Sequence, residues 1–306
     1  MSEARFWEPA RERAQLWRLA LGLVLVFAVW FAVSTAVLLA ASALLGVPLG
    51  QIARADSLAG AAAVFLGFAG FHAGLALALP LLHRRGYRTL FGPQRRLELV
   101  HFARGAAVTL GIAAISYALM GLERLVLPPE IAPEIVRRTN LMPWLAGLLP
   151  AIALIAMQAL AEEAVFRGYV LQQLRARSAN VLIWGVAPSF LFGLLHFDAT
   201  TFGPLNAAAY VFNAAVIGTL AALVTVKTGN LGAAAGLHFG NNVAMVLIGL
   251  KGSIEGFSLY LVEVDLESGY MTYSMLTQTA LMVLAYLVWR RWWPNPRTIA
   301  KPGAGA

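Results

Sequence analysis

The sequence predicts an all-α fold, a polytopic membrane helix bundle of about eight transmembrane helices. Of its 306 residues, 59% are hydrophobic and only 12% are charged, and the mean hydropathy of +0.71 is far above that of an ordinary soluble domain. Apolar windows follow one another along the chain, each near the ~20 residues that a helix needs to span a bilayer. The windows are 19–46, 58–82, 105–122, 143–161, 181–197, 205–226, 231–250 and 271–289.

The distribution of basic residues predicts the orientation of the bundle. If the N-terminus is cytoplasmic, 18 of the 23 Lys and Arg residues lie on the cytoplasmic side, which favours N-in and C-in. We therefore expect a cytoplasmic segment at 1–18, a transmembrane domain at 19–293 with its motif core at 143–250, and a cytoplasmic tail at 294–306. The outward loop 251–270 is rich in acidic residues and is expected to be solvated.

Composition also excludes several classes of function. The chain has no cysteine, so disulfides, iron–sulfur clusters, thiolate zinc sites and cysteine nucleophiles are ruled out. The formal charge of +8 does not indicate nucleic-acid binding, because the basic residues form short clusters beside apolar windows, where they set topology.

Two adjacent carboxylates and an arginine follow the apolar run 144–160. A charged residue at membrane depth costs roughly 2.5–3.5 kcal/mol on insertion scales, so Glu162 and Glu163 require a functional explanation. Glu163 and Arg167 are spaced i,i+4 and can pair along a helix. We therefore expect Glu163 and Arg167 to form a supporting ion pair and Glu162 to be the reactive carboxylate.

The first candidate partner of Glu162 is His196, with Phe192 one turn before it. Glu162 and His196 are equidistant from residue 179, in a polar turn. If the flanking windows form an antiparallel hairpin, the two side chains meet side by side, each ~25 Å from its tip.

The window 231–250 supplies a second histidine. His238 and Asn242 are four residues apart and share a helical face, which is expected to line a cavity at the depth of Glu162. Gly232, Gly236 and Gly240 form a separate small-residue stripe, which is expected to pack closely against a neighbouring helix.

Together these residues favour hydrolysis of a peptide bond inside the membrane. A glutamate in a dry site is a plausible general base, and Glu162 beside His196 can polarise a water for attack on a carbonyl. His238 and the amide of Asn242 are suitable donors to the developing oxyanion.

The three motifs, Glu162-Glu163-x-x-x-Arg167, Phe192-x-x-x-His196 and His238-x-x-x-Asn242, resemble those of the CAAX-protease and bacteriocin-processing (CPBP, Abi-like) family of intramembrane endopeptidases, which includes the type II CAAX prenyl endopeptidases. The resemblance implies that Glu162 and His196 activate water and that His238 and Asn242 form the oxyanion hole. It also implies cleavage near the C-terminus of a membrane-associated or lipidated protein or peptide. Bacterial relatives are linked to bacteriocin immunity, peptide maturation and regulated proteolysis.

Cofactor and partners follow from the same residues. Glu162, His196 and His238 could bind zinc, yet no His-Glu-x-x-His pair is present, and the expectation is no cofactor, with zinc left open. The expected partners are a membrane-bound substrate and the lipid bilayer of a bacterial plasma membrane, with the site opening to the cytoplasm. The sequence predicts no oligomeric state.

The alternative to a peptidase is a non-enzymatic protein, either a proton-coupled transporter or a bacteriocin immunity factor that acts by binding.

Overall fold

The computed structural model describes residues 5–292, which are mostly helical; the predicted tail 294–306 lies outside this range. The helices are α1 (Leu16–Leu45), α2 (Leu49–Ala53), α3 (Leu58–Gly67), α4 (Ala69–His83), α5 (Leu99–Val126), α6 (Leu141–Glu163), α7 (Leu171–Arg177), α8 (Ala187–Leu194), α9 (Ala199–Thr228), α10 (Gly232–Val243) and α11 (Gly269–Trp292). The strands are β1 (Glu134–Arg137), β2 (Ile248–Leu250) and β3 (Tyr260–Glu263). Short 3₁₀ turns cover Glu8–Arg13, Tyr87–Phe91 and Ala244–Val246, and π-helical turns cover Ala164–Val170 and Leu182–Val186.

The protein is a multi-pass membrane protein, as the sequence predicts. Within residues 5–292, six helical stretches are long and apolar enough to cross a bilayer. They are Leu16–Leu45, Leu58–His83, Leu99–Val126, Leu141–Arg177, Ala199–Thr228 and Gly269–Arg291.

The prediction of about eight spanning helices is not confirmed. The longest helices in the windows 181–197 and 231–250 are shorter, namely the apolar helix Leu182–Leu194 and α10. Twelve or thirteen residues rise only ~20 Å, short of the ~30 Å hydrocarbon core. Hydropathy records apolar residues but not where a helix ends, so it could not distinguish these two from full spans.

The helical hairpin expected after the paired glutamates is present. Helix continues from α6 through the π turn Ala164–Val170 into α7, and the chain reverses at residues 178–180 before the second π turn and α8. Asn180 stabilises the reversal, since its Oδ1 accepts from the Leu182 amide at 3.0 Å. The two arms of the hairpin therefore carry Glu162 and Phe192.

The glycine stripe of α10 packs against α5, as predicted. A Cβ at Gly232 would lie 2.6 Å from the Glu98 carbonyl oxygen, and one at Gly236 would overlap the Phe102 carbonyl oxygen. Because only glycine permits this approach, the backbones of α5 and α10 lie in close contact. This contact fixes the rotation of α10 and leaves its polar face toward α6.

A small sheet contradicts the expectation that loop 251–270 is merely solvated. The central strand β3 pairs antiparallel with β1 and parallel with β2, and Phe257, Leu259 and Leu261 are buried. Trp144 joins this sheet region to α6, since its indole Nε1 donates to the Val246 carbonyl at 3.0 Å and the Phe257 carbonyl at 3.2 Å. The strands were not predicted in this acidic loop, because the alternation of its apolar residues extends over only a few positions.

Candidate active site

The two glutamates end α6 and are buried. The side chain of Glu163 is 2% exposed and that of Glu162 is 11% exposed. The π turn Ala164–Val170 follows them directly and carries Arg167. Wide turns of this kind inside α-helices often occur at functional sites, because they change the direction of the side chains beyond them.

Glu163 binds two partners through one oxygen. Arg167, whose side chain is 3% exposed, donates from Nη1 to Glu163 Oε1 at 2.9 Å, so the expected ion pair is present. His238 Nδ1 lies 2.9 Å from the same oxygen. This second contact was not predicted from the sequence, and it makes Glu163 a link between the arginine and a histidine of α10.

His238 also approaches the other glutamate. Its Nε2 lies 3.4 Å from Glu162 Oε2, so the imidazole is held between the two carboxylates. In the part of the chain that the structure describes, the ion contact of Glu162 is with His238, and the side-by-side pairing of Glu162 with His196 stays a prediction. His196 nevertheless lies within electrostatic range of Glu162.

The hydrogen bond of His196 determines which of its ring nitrogens carries the hydrogen. His196 Nδ1 lies 3.0 Å from the Phe192 carbonyl oxygen. Since a carbonyl can only accept, Nδ1 carries the proton, and in a neutral ring Nε2 is then an acceptor. His196 can thus accept a hydrogen bond on Nε2.

A short turn connects His196 to α9 and ends in a helix cap. Asp198 Oδ1 accepts from the Thr200 hydroxyl at 2.6 Å and from the Thr201 amide at 3.1 Å. These hydrogen bonds, those of Thr200 foremost, lower the pKa of Asp198 to about 2. The cap, two residues after His196, therefore stays ionised at neutral pH and fixes the start of α9 at Ala199.

Aromatic side chains surround the charged groups. The Phe192 ring lies 4.8 Å from the His196 ring between centroids, and the Arg167 guanidinium carbon lies 5.0 Å from the Phe192 centroid. Tyr210 of α9 lies 5.6 Å from His196 between centroids and within electrostatic range of Glu162. Tyr210 could not be predicted from the sequence, because nothing separates it from the other residues of an apolar helix.

Asn242 has a partner that the sequence analysis also missed. Its Nδ2 donates to Gln158 Oε1 at 2.9 Å, and its Oδ1 accepts from Asn241 Nδ2 at 3.2 Å. Gln158 is buried one turn before Glu162. Its signal was available, since Gln158 is the one polar residue in the apolar run 144–160.

Gly218 of α9 provides the space for Arg167. A Cβ at this position would overlap Arg167 Nη2 and lie 3.0 Å from Ser189 Cβ. We expect Gly218→Ala to displace the guanidinium, to destabilise the protein by ~1–3 kcal/mol through overpacking, and to lower its activity. Thermal unfolding of the purified variant measures the loss of stability.

Gly111→Ala on α5 is the matched control. No atom of residues 5–292 lies within 4 Å of the Cβ it would add, so we expect no loss and a gain of up to ~1 kcal/mol from helix propensity. Equal stability and equal activity of the two variants would show that Arg167 does not need the space at Gly218.

The residues that could hold zinc are not gathered as a metal site. Among residues 5–292, no group of three His, Asp or Glu side chains is arranged to hold a metal ion. Both ring nitrogens of His238 face carboxylates, and His196 Nδ1 is bonded to a carbonyl. We therefore derive no chemical step through a metal.

Fold and site together define a multi-pass membrane protein with a buried carboxylate and histidine centre. Residues 143–244, which contain every predicted site residue, match the family model described as type II CAAX prenyl endopeptidase Rce1-like. This match confirms the family resemblance expected from the three motifs.

A curated relative is also similar to the chain. This relative is an uncharacterized protein, YyaK, of Bacillus subtilis (strain 168), and the two sequences are 25% identical over 185 residues. The alignment covers 60% of this chain and 59% of that relative, so the chain spans less than two thirds of the relative's length.

Proposed function

We propose that the protein is an intramembrane endopeptidase that hydrolyses a peptide bond near the C-terminus of a membrane-associated or lipidated protein or peptide. The observation that carries the proposal is the position of His238 between Glu162 and Glu163, with Glu163 paired to Arg167. The match of residues 143–244 to a family of CAAX endopeptidases supports the same activity.

Water activation is assigned to Glu162 and His196. Among the described residues Glu163 forms an ion pair with an arginine, whereas Glu162 forms none, and Glu162 lies within electrostatic range of His196. As the water oxygen attacks the carbonyl carbon, Glu162 takes a proton, and His196 Nε2 accepts a hydrogen bond from the same water. Glu162 then gives its proton to the leaving amine nitrogen as the carbon–nitrogen bond breaks, which restores the carboxylate.

Oxyanion stabilisation is assigned to His238 and Asn242. In this scheme His238, which lies between two carboxylates, is an imidazolium, because only the protonated ring donates from both nitrogens. Nδ1 donates to Glu163, which orients the ring, and Nε2, near Glu162, donates to the oxyanion formed beside the attacking water. The Asn242 amide, held by Gln158, supplies the second donor. Removing one such donor typically costs about 10²–10³ in kcat. In this scheme Glu163 is a positioning residue, because it acts through His238.

The proposed setting is a bacterial plasma membrane with the site opening to the cytoplasm. The basic residues near the hairpin tip and at the ends of α9 and α11 support this orientation. No oligomeric state is proposed.

Substrate class is tested with a panel of C-terminal peptides. Purified protein is incubated with matched lipidated and unlipidated peptides, and products are identified by mass spectrometry for the wild type and Glu162→Ala. We expect the wild type to cleave lipidated peptides near the C-terminus and Glu162→Ala to cleave none. Equal cleavage by both proteins would overturn the site assignment, and equal cleavage of both peptide classes would overturn the preference for lipidated substrates.

We propose a metal-free reaction. Treatment with a strong chelator, followed by its removal, is then expected to leave the cleavage rate unchanged, because protein side chains alone handle the proton and the oxyanion. A preparation that loses activity on chelation and regains it with zinc alone would contradict the metal-free mechanism.

A further inference from the structure

We infer that a cavity between α5, α9, α10 and α11 binds one anionic phospholipid, with an acyl chain inside the cavity and the phosphate at its basic end. The inference goes beyond the proposed peptidase activity and does not depend on it. It rests on the shape, the charge distribution and the depth of the cavity.

The body of the cavity is apolar. Its volume is about 250 Å³, near the lower end of the roughly 300–1,000 Å³ typical of small-molecule sites. Aliphatic side chains from the four helices form most of the wall, and no Asp or Glu is among the described residues that line it. They include Val108, Ile217, Leu220, Leu237 and Met282. A wall of this composition suits a hydrocarbon chain.

One end of the cavity is basic and aromatic. His101 and Arg104 line it near the start of α5, and Trp289 lines it near the end of α11. Lys227 Nζ lies 5.2 Å from the Trp289 ring centroid. Tryptophan and basic residues mark the headgroup level of a bilayer, and basic pockets between transmembrane helices bind anionic headgroups.

The basic residues at this end match the charge of a lipid headgroup. Arg104 lines the cavity, and Lys227 packs against Trp289. Glu98, which acts electrostatically on His101, is itself paired with Arg96 at 3.1 Å. The positive charge of Arg104 and Lys227 complements a lipid phosphate.

The depth of the cavity matches one leaflet. Its lining on α9 runs from Thr228, the last residue of the helix, to Ile217. This stretch rises ~16 Å, about half of the ~30 Å hydrocarbon core. An acyl chain whose headgroup lies at the basic end would thus run along the cavity from the interface toward the bilayer centre, as it does in a bilayer leaflet.

The cavity is separate from the candidate active site. Its lining includes Leu237 but not His238, and neighbouring residues of a helix point ~100° apart. Glu162, His196 and Asn242 are likewise absent from the lining. A lipid in the cavity would contact the far side of α10 and leave the proposed water position open.

The test uses a phosphatidylglycerol probe with a photoreactive group near the end of one acyl chain. The full-length protein is labelled in vesicles, digested and mapped by mass spectrometry, with unlabelled phosphatidylglycerol or phosphatidylcholine as competitor. We expect labels on residues that line the cavity, displaced by phosphatidylglycerol in preference to phosphatidylcholine. Labels spread evenly over the lipid-facing helices, or equal displacement by both lipids, would overturn the inference.

Variants test the two parts of the cavity separately. Leu220→Trp fills the apolar body and is expected to remove most of the labelling, whereas Leu110→Trp, on the exposed face of α5, is the matched control. Arg104→Gln combined with Lys227→Gln is expected to weaken competition by phosphatidylglycerol about tenfold or more, since each basic residue near an anionic headgroup contributes to affinity.

Arg88→Gln, a substitution of an exposed arginine elsewhere, is the control for charge and should leave competition unchanged. If Leu220→Trp fails to fold, the charge variants still decide the question. Displacement of the probe by a lipidated substrate peptide alone would assign the cavity to substrate and contradict the phospholipid.

Discussion

Glu162→Gln is expected to lower the rate of peptide cleavage by at least ~10²–10⁴, the usual contribution of a positioned general base. The amide keeps the size of the side chain but cannot take a proton from water. Glu162 lies 3.4 Å from His238 and forms no ion pair with an arginine within residues 5–292, so the Glu163–Arg167 pair remains intact in the variant. We therefore expect the unfolding temperature to stay close to that of the wild type. Cleavage assays and thermal unfolding of the same preparation measure both quantities.

Glu123→Gln is the matched control for this substitution. Glu123 also accepts hydrogen bonds from neighbouring side chains, the hydroxyls of Tyr270 and Tyr273 at 2.7 and 2.9 Å, but it is not among the proposed site residues. Its replacement should leave the cleavage rate unchanged. A Glu162→Gln variant that keeps wild-type turnover would remove Glu162 from the mechanism.

Glu163→Gln is expected to destabilise the protein by ~3–5 kcal/mol, because it leaves a buried arginine without its counter-charge. The side chains of Glu163 and Arg167 are 2% and 3% exposed, so water cannot replace the lost partner. Activity should fall as well, since Glu163 also orients His238. Glu98→Gln, which breaks the exposed pair with Arg96, should cost less than ~1 kcal/mol.

The double variant Glu163→Met with Arg167→Met separates the two roles of Glu163. With both charges removed, most of the stability should return, because replacing a buried ion pair by apolar residues is often neutral. Activity should not return, because His238 still lacks its Nδ1 partner. Recovery of both stability and activity would reduce Glu163 to a counter-charge for Arg167, and wild-type stability of Glu163→Gln alone would contradict the buried-pair account.

Local spacing was sufficient to predict part of the site. The Glu163–Arg167 pair and the close packing of the Gly236 face depend on helical geometry within a few residues, and both are present. The hairpin that follows the glutamates was predictable for the same reason, since a polar turn separates two apolar windows.

Contacts between distant segments could not be predicted from spacing. Glu163 and His238 are 75 positions apart, and their contact depends on how α10 packs against α5 and α6. The sequence placed both histidines at one depth but could not determine which of them lies nearer Glu162. The sheet was missed because its three strands are short and come from separate parts of the chain.

The central claim is that this site hydrolyses a peptide bond rather than passing protons across the membrane. The most direct measurement reconstitutes the wild type and Glu162→Gln in proteoliposomes and follows a C-terminally lipidated peptide by mass spectrometry together with proton flux. Our account predicts that the wild type releases a truncated peptide and its C-terminal fragment in equal amounts, that Glu162→Gln releases neither, and that proton flux is the same for both. Intact peptide together with a proton flux that Glu162→Gln abolishes would contradict it.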